Sequence, residues 1–289
     1  MKIFTKTLVF VLAVIFILGL ASIIRATGTA VSLGAAASFA VLGGATVTNT
    51  GSTVLNGDLG SSPGSSITGF PPGTYTGSLH SADATALSAK NDATSAFTNL
   101  GLQGCDSDLS GQDLGGMTLV PGVYCFSSSA QLTGILTLNA QNDPNAVWIF
   151  KMGSTLTTAS GSSVVFNNGG SGPGCNVFWK VGTSATLGTT TAFVGTIIAD
   201  HDITLTTGAT VNGRVLALGA SADGAVTLAT NTITPVVCAS TPTPTPTASS
   251  TASSIASPLS LSSSGVESVF CPALNTQIVS PIILESRRV

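Results

Sequence analysis

The chain has 289 residues, of which 7% are charged and 43% hydrophobic, with 33 Gly, 40 Thr and a formal net charge of −3. Nine Lys and Arg are too few for a nucleic-acid groove, which needs clustered cations to neutralise phosphates. A sequence so rich in Gly and β-branched residues is a poor helical bundle, and its apolar content is too high for an ordinary disordered chain. What remains is an all-β protein with a low-charge surface, or a membrane protein.

The membrane reading turns on the N-terminus. Lys2 and Lys6 precede an apolar run from Leu8 to Ile24 that is broken only by Gly19 and Ser22. A basic start, an apolar stretch and small residues after it predict a secretory signal peptide over residues 1–26, with cleavage after Ala21, Ala26 or Ala30. The run is long for a cleaved signal, so an uncleaved anchor is the competing reading.

A globular domain is expected over residues 31–239, and it opens on the segment TVTNTGSTVLNG (46–57). The stretch 80–100 then reads as the one long helix: it is Ala-rich, lacks Gly and Pro, and ends at Gly101 and Gly104. Ser78 or Ser81 is its expected cap, and Leu87, Ala93, Ala96, Phe97 and Leu100 its apolar face. The runs VWIF (147–150) and VFW (177–179) read as buried strands.

A repeat follows. Residues 185–199 and 203–217 align at an offset of 18: Leu187 falls on Leu205, Thr189 on Thr207, Phe193 on Val211, Gly195 on Gly213, Ile197 on Val215 and Ala199 on Ala217. Segment 155–166 matches with one insertion and 226–234 with one deletion. Segment 46–57 also aligns, with Thr50 on Thr207, Thr53 on Thr210 and Val54 on Val211. A period this short suits one coil of a β-solenoid with three short strands per turn. The expected fold is all-β dominated, a discontinuous three-faced β-solenoid with one long α-helix packed along its side. The helix interrupts the solenoid after the first copy and covers an apolar face.

Five cysteines occur, none in a CxxC, and with two His there is no zinc pattern. In an oxidising compartment they read as disulfides. Cys105 is paired with Cys125, and Cys175 with Cys238, which leaves Cys271 over. Each bond would contribute roughly 3–4 kcal/mol in the loop-entropy account. Residues 241–264 form a Thr/Pro/Ser-rich linker with no capacity to pack, and residues 265–289 are too short for a domain and read as disordered.

In each copy the residues beside the inward Val or Phe are expected to face out. They are Thr50, Thr53, Thr158, Ser163, Thr189, Thr191, Thr207, Thr210, Asn212, Thr230 and Thr232. Stacked about 4.8 Å apart, they would make a flat, uncharged, half-apolar plane of hydroxyls and methyls. A charged ligand finds no counter-charge there, whereas a lattice of water finds aligned partners. Each water-mediated contact is weak, but many act together. Against this stands the fact that Thr is simply a good strand former.

The chain resembles the microbial ice-binding (antifreeze) protein family. The resemblance is carried by residues 34–77, by HSADA (80–84), by LVPGVYCF (119–126), by VWIFKMGSTLTTAS (147–160), by NVFWKVGTSATLGT (176–189) and by ITLTTGATVNGRVLA (203–217). It spans about residues 31–239 and implies a discontinuous β-solenoid with a side-lying helix that binds ice through one flat face. Some members carry a Thr-Ala/Gly-x-Thr/Asn motif there. Thr50-Gly51-Ser52-Thr53 and Thr207-Gly208-Ala209-Thr210 match it, Thr158-Ala159-Ser160-Gly161 departs at its last place, and Leu187-Gly188-Thr189-Thr190 does not fit it. The implied mechanism is adsorption–inhibition, in which bound protein pins the ice front and curvature lowers the local freezing point. Thr207→Tyr or Thr210→Tyr is then expected to cut thermal hysteresis.

Other constellations read as structural. Asp200-His201-Asp202 sits where a turn belongs, and Asp106, Asp108 and Asp113 lack the closing Glu of an EF-hand. His80 and Asp83 read as first-turn capping or a surface pair. With ten Asp and no Glu in 31–239, no glycosidase pair can be singled out. No catalytic residue, metal or cofactor is expected. The expected partner is an ice crystal surface, not nucleic acid or a small molecule, and the expected state is a secreted monomer. The alternatives are a cell-surface adhesion module, in effect a tethered ice adhesin on the Thr/Pro stalk, and a polysaccharide-active β-solenoid. For the second, Lys180 and Arg214 offer too little positive charge.

Overall fold

The computed structural model describes residues 28–168, 174–219 and 223–236. The chain divides into residues 1–240 and 241–289, and every described residue lies in the first part. The signal segment, the Thr/Pro/Ser linker, residues 265–289, Cys238 and Cys271 lie outside the described residues.

The described chain winds into three sheets with parallel pairing throughout. The first sheet has nine strands in the spatial order Leu79–Ser81, Asp58–Ser61, Phe39–Gly43, Val215–Ala217, Thr196–Ala199, Val177–Val181, Trp148–Met152, Gly122–Phe126, Ser107–Asp108. The second has seven: Ala130–Leu132, Leu156–Thr158, Ala185–Leu187, Ile203–Leu205, Val226–Ala229, Thr46–Thr50, Ser66–Thr68. The third has eight: Thr74–Tyr75, Val54–Leu55, Thr232–Thr234, Thr210–Asn212, Ala192–Val194, Ser163–Asn167, Ile135–Asn139, Thr118–Leu119. The stack is discontinuous. Residues 39–81 form its two coils at one end, the helix α1 (Ala84–Leu102) carries the chain away, and the later coils build back until Val215 pairs with Val41.

The length of α1 fits this task. Nineteen helical residues rise about 28 Å. The six steps from strand Asp58–Ser61 to strand Gly122–Phe126 span about 29 Å at the usual strand spacing. The buried stripe of α1 is Ala86, Ala89, Ala93, Ala96 and Leu100, a spacing of three and four residues that lines one face. Its small side chains let the helix lie close on Phe39, Leu42, Val123, Ile149, Phe178, Ile198 and Leu216 of the first sheet. Leu87, expected in that face, is 51% exposed, because it falls one residue off the stripe. The cap is Asp83 rather than Ser78 or Ser81. Its carboxylate accepts the Ala86 N–H at 2.8 Å and meets His80 Nδ1 at 2.7 Å. That backbone hydrogen bond, and then the His80 contact, hold the Asp83 carboxyl below its ordinary range. His80 belongs to a strand rather than to the helix.

At the other end of α1 the sheet supplies the positive charge that the last turn lacks. Lys151 Nζ donates to the carbonyls of Gly101 and Gln103, and Lys180 Nζ stands 3.9 Å from the Phe97 ring centroid. Cations at a helix C-terminus are favoured by the helix dipole. Burial pushes both lysine pKa values down.

The predicted buried strands are buried, and their aromatics stack through the coils. Tyr124 pairs with Phe150 and Phe150 with Trp179. The ring centroids are 5.5 Å and 4.0 Å apart, and Phe193 closes the group 4.8 Å from Trp179. Trp179 Nε1 donates to Val194 O at 3.0 Å, so the indole is buried with its one polar atom satisfied.

Cys105 and Cys125 are joined, with Cα atoms 5.8 Å apart, which ties the chain just after α1 to the first sheet. Cys175 is also disulfide-bonded; Cys238, its expected partner, is among the residues not described. The Cys105–Cys125 link closes a loop with a separation of 20 residues. The double variant Cys105→Ser/Cys125→Ser is expected to lose about 3 kcal/mol, which lowers the melting temperature by roughly 6–12 °C in calorimetry.

The repeat sets the register. Leu187 pairs with Leu205, Phe193 with Val211, Ile197 with Val215 and Ala199 with Ala217, as the 18-residue offset requires. The N-terminal copy is one residue out. Leu55, not Val54, stands on Ile233 and through it on Val211, while Val54 stands on Thr232 and Thr210. A one-residue slip exchanges the two faces of a strand, so Val54 is 39% exposed and Thr53 is buried.

Candidate functional site

The first sheet is covered by α1. The second is open, and its strands share one simple pattern: an outward Thr between two inward residues. The triplets are Val47-Thr48-Asn49, Ile67-Thr68-Gly69, Leu156-Thr157-Thr158, Ala185-Thr186-Leu187, Ile203-Thr204-Leu205 and Val226-Thr227-Leu228. Period-two alternation puts every central Thr on the outer surface. The strand pairing then stacks them without a break: Thr157 on Thr186, Thr186 on Thr204, Thr204 on Thr227, Thr227 on Thr48 and Thr48 on Thr68. Gln131 continues the row next to Thr157, and Asp113, bridged to Gln131, follows it.

This central row is flanked by two others, about 6.6 Å away along the strands. Several of their hydroxyls are engaged. Thr155 Oγ1 donates to Ser129 Oγ at 2.8 Å, Thr206 Oγ1 to Leu187 O at 2.8 Å and Thr50 Oγ1 to Leu228 O at 3.3 Å. Among the described residues, no side-chain hydrogen bond is made by the six hydroxyls of the central row. Asp202, at the start of its strand, and Asp113, at the end of the row, are the charged groups on this face; the Asp202 carboxylate accepts the Ala225 N–H at 2.8 Å and that of Asp113 the Gly115 and Thr133 N–H groups. The surface therefore carries little charge, with free hydroxyls repeating about 4.8 Å along the stack.

The residues singled out from sequence separate into three places. Thr50 lies on the rim of the second sheet, and Thr189, Thr207 and Thr230 are exposed at the corner leading to the third. Ser163, Thr210, Asn212 and Thr232 lie on the third sheet. Thr53, Thr158 and Thr191 are 0%, 3% and 0% exposed and meet no external surface. Thr158 stands beside Leu132 in an inward column, and its Oγ1 lies 2.8 Å from Thr191 Oγ1 and accepts the Gly188 N–H at 2.9 Å. The expected single plane of all eleven residues is thus not formed. The third sheet is also mixed, since its matching row reads Ile135, Ser163, Ala192, Thr210, Thr232, Val54 and Thr74. The six threonines of the second sheet lie outside the Thr-Gly-x-Thr strings. The apolar-Thr-apolar triplet was the available signal.

The buried corner holds the second sheet together where the chain is not continuous. Asn231 Nδ2 donates to Thr206 O at 2.8 Å and to Ala209 O at 3.1 Å, and its Oδ1 accepts the Ala229 N–H. Its own N–H donates to Thr53 Oγ1 at 3.0 Å, across 178 residues of sequence. Thr53 donates to Asn49 Oδ1, and Asn49 Nδ2 to the carbonyls of Gly51 and Gly69 at 2.9 and 2.8 Å. Four adjacent coils are bonded into one corner, so the Thr227–Thr48 step keeps its register.

Of the reactive-looking clusters, the Asp106, Asp108 and Asp113 carboxylates are engaged by backbone N–H groups, whereas His201 Nδ1 makes no hydrogen bond among the described residues. His201 Nδ1 is 3.6 Å from Asp200 and its Nε2 4.0 Å from Asp223, in the turn between the first and second sheets. Asp106 accepts the Val123 N–H, Asp108 the Ser110 N–H, and Asp113 the N–H groups of Gly115 and Thr133. Among the described residues no group of three or more His, Cys, Asp or Glu is placed to hold a metal ion. Arg214, 3% exposed, donates to the carbonyls of Ala37 and Val236.

Comparison with known proteins is decisive at this point. The sequence model of the ice-binding-like family matches residues 41–234. The chain belongs to that family. An ice-binding protein of Nostoc sp. strain HG1 is 54% identical to it over 202 residues, covering 70% of this chain and 72% of the relative. An ice-binding protein of Flavobacterium frigoris strain PS1 is 31% identical over 221 residues, covering 71% and 76%. The crystal structure of an ice-binding protein from the Antarctic ascomycete Antarctomyces psychrotrophicus superposes with a TM-score of 0.67 at 45% identity, covering 72% of this chain and 98% of the other. One from an Antarctic biological consortium gives 0.70 at 44%, covering 74% and 94%.

Proposed function

We propose that this member of the family adsorbs to ice through the second sheet, with Thr48, Thr68, Thr157, Thr186, Thr204 and Thr227 as the central contact row. The observation that carries the reading is the unbroken six-threonine stack with its hydroxyls unengaged. β-Branched side chains have restricted χ1, so the hydroxyl array is ordered before ice arrives and little entropy is lost on contact. The methyls order water between the hydroxyls, and many weak water-mediated contacts act as one. Adsorbed molecules pin the front, ice bulges between them, and growth stops below the melting point. No bond is made or broken. Thr50 extends this face at its rim. The protein is secreted and acts as a monomer, free or held at the cell surface by the linker over 241–264. Among the described residues no helix is long and apolar enough to cross a membrane.

The test is a small ice crystal cooled slowly in a solution of the purified protein. Faceting and growth arrest below the melting point are expected. A crystal that grows as a smooth disc at all concentrations would overturn the reading. Repeating the measurement on culture supernatant and on washed cells separates the free from the tethered form.

A further inference from the structure

The chain is fastened into the fold from Gly28 onward. Gly28 is buried. A Cβ there would stand 3.1 Å from Ile149 Cδ1 and 3.2 Å from Val123 Cγ2, closer than carbon atoms pack at their best separation. The bare glycine backbone therefore lies directly on two side chains of the first sheet. Thr29 is clasped next to it: its N–H donates to Gln103 Oε1 at 2.7 Å, and its carbonyl accepts from Gln103 Nε2 at 2.8 Å. Gln103 is the residue that closes α1, and Lys151 Nζ donates to its carbonyl in turn. Val31 and Leu33 then pack into the apolar layer between α1 and the first sheet. Ala35 N–H donates to Asp92 Oδ2 of α1 at 2.7 Å. Residues 28–35 are thus a strap, tied to the helix at two places and resting on the sheet beneath it.

The strap constrains how an export signal can be removed. A cleavage site carries small residues at the first and third places before the cut. Gly19 and Ala21 meet this, and so do Gly28 and Ala30, whereas Ala26 has Ile24 in the third place. Cutting after Ala30 would take away Gly28 and Thr29, uncover Val123 and Ile149, and leave the Gln103 amide without the partners it has in the fold. Cutting after Ala21 leaves the strap whole. It also settles the length of the apolar run. Up to that cut the run extends from Leu8 to Leu20, which is 13 residues. A cleaved signal has about 7–15 apolar residues and a membrane span about 20.

Resting on the reading of the chain as exported, we propose that the processing site is the Ala21–Ser22 bond. Its hydrolysis by a signal peptidase of the exporting cell consumes one water and leaves a carboxylate on Ala21 and an amino group on Ser22. The mature chain begins at Ser22 and keeps the strap.

The test is expression of the full chain in a secreting bacterial host, with N-terminal sequencing and intact-mass measurement of the protein in the medium. A start at Ser22 is expected. Ala21→Leu places a large side chain at the last residue before the cut and is expected to abolish that start. Ala30→Leu, at an exposed residue of the strap, is expected to leave processing unchanged. Gln103→Ala removes the clasp on Thr29 and is expected to lower the melting temperature of the secreted protein by about 2–4 °C. Protein in the medium that starts at Thr27 or Val31, or processing blocked by Ala30→Leu, would overturn the site and leave export standing. An unprocessed chain confined to the membrane fraction would overturn the site and the free secreted form together. An unchanged melt for Gln103→Ala would also overturn the proposal, since the fold would then have no need of residue 29.

Discussion

Thr204→Tyr is expected to lower thermal hysteresis about tenfold while leaving the melting temperature unchanged. Thr204 lies inside the central row, with Thr186 on one side and Thr227 on the other. A phenol ring there lifts the face off any flat lattice, and contacts that act together are lost together. Folding should tolerate the ring, since aromatic residues suit an open sheet surface. The comparison is Thr210→Tyr, which changes an exposed residue of the third sheet. Greater loss from Thr204→Tyr supports the second sheet as the contact face. The reverse order would move the contact to the third sheet.

Asn231→Ala is expected to be the strongest destabilisation from a single polar side chain. The residue is 1% exposed, and removing its amide leaves the Ala229 N–H without its acceptor and takes a donor from two buried carbonyls. Unsatisfied buried groups of this kind cost about 1–3 kcal/mol each, so a loss of about 3 kcal/mol is expected. In a domain of this size that lowers the melting temperature by roughly 6–12 °C. Near the freezing point the variant remains folded, so its hysteresis should fall far less than that of Thr204→Tyr. An unchanged thermal melt would show that the corner does not hold the break in the chain.

Much of the architecture was legible because the repeat is strict where the coils are consecutive. The offset between 185–199 and 203–217 returned the pairing residue for residue, and the helix between the first copy and the others returned the discontinuity. The N-terminal copy was misread by one place because its letters, Thr-Gly-Ser-Thr, match Thr-Gly-Ala-Thr at 207–210, whereas in space Thr50 stands on Ala229, one residue earlier in the coil. Corners differ in length by a residue from coil to coil, and a string match cannot see this. The same error hid the candidate face. Thr53, Thr158 and Thr191 share composition with the exposed threonines, but the Asn231 N–H on Thr53, the Gly188 N–H on Thr158 and the Thr158–Thr191 pair all reach across coils. Leu87 was misplaced for a different reason. An Ala stripe carries little hydropathy, so the nearest Leu drew the face toward itself.

The helix also acts as a ruler. Its ends are anchored to different coils, by Asp83 and the strand Leu79–Ser81 at one side and by Cys105–Cys125 at the other. Adding one coil would move those anchors apart by about 4.8 Å, which calls for about three more helical residues. The area presented by the second sheet can therefore grow only in steps, each matched by nearly one turn of helix. An insertion that lengthens the stack alone would tear an anchor loose rather than enlarge the face.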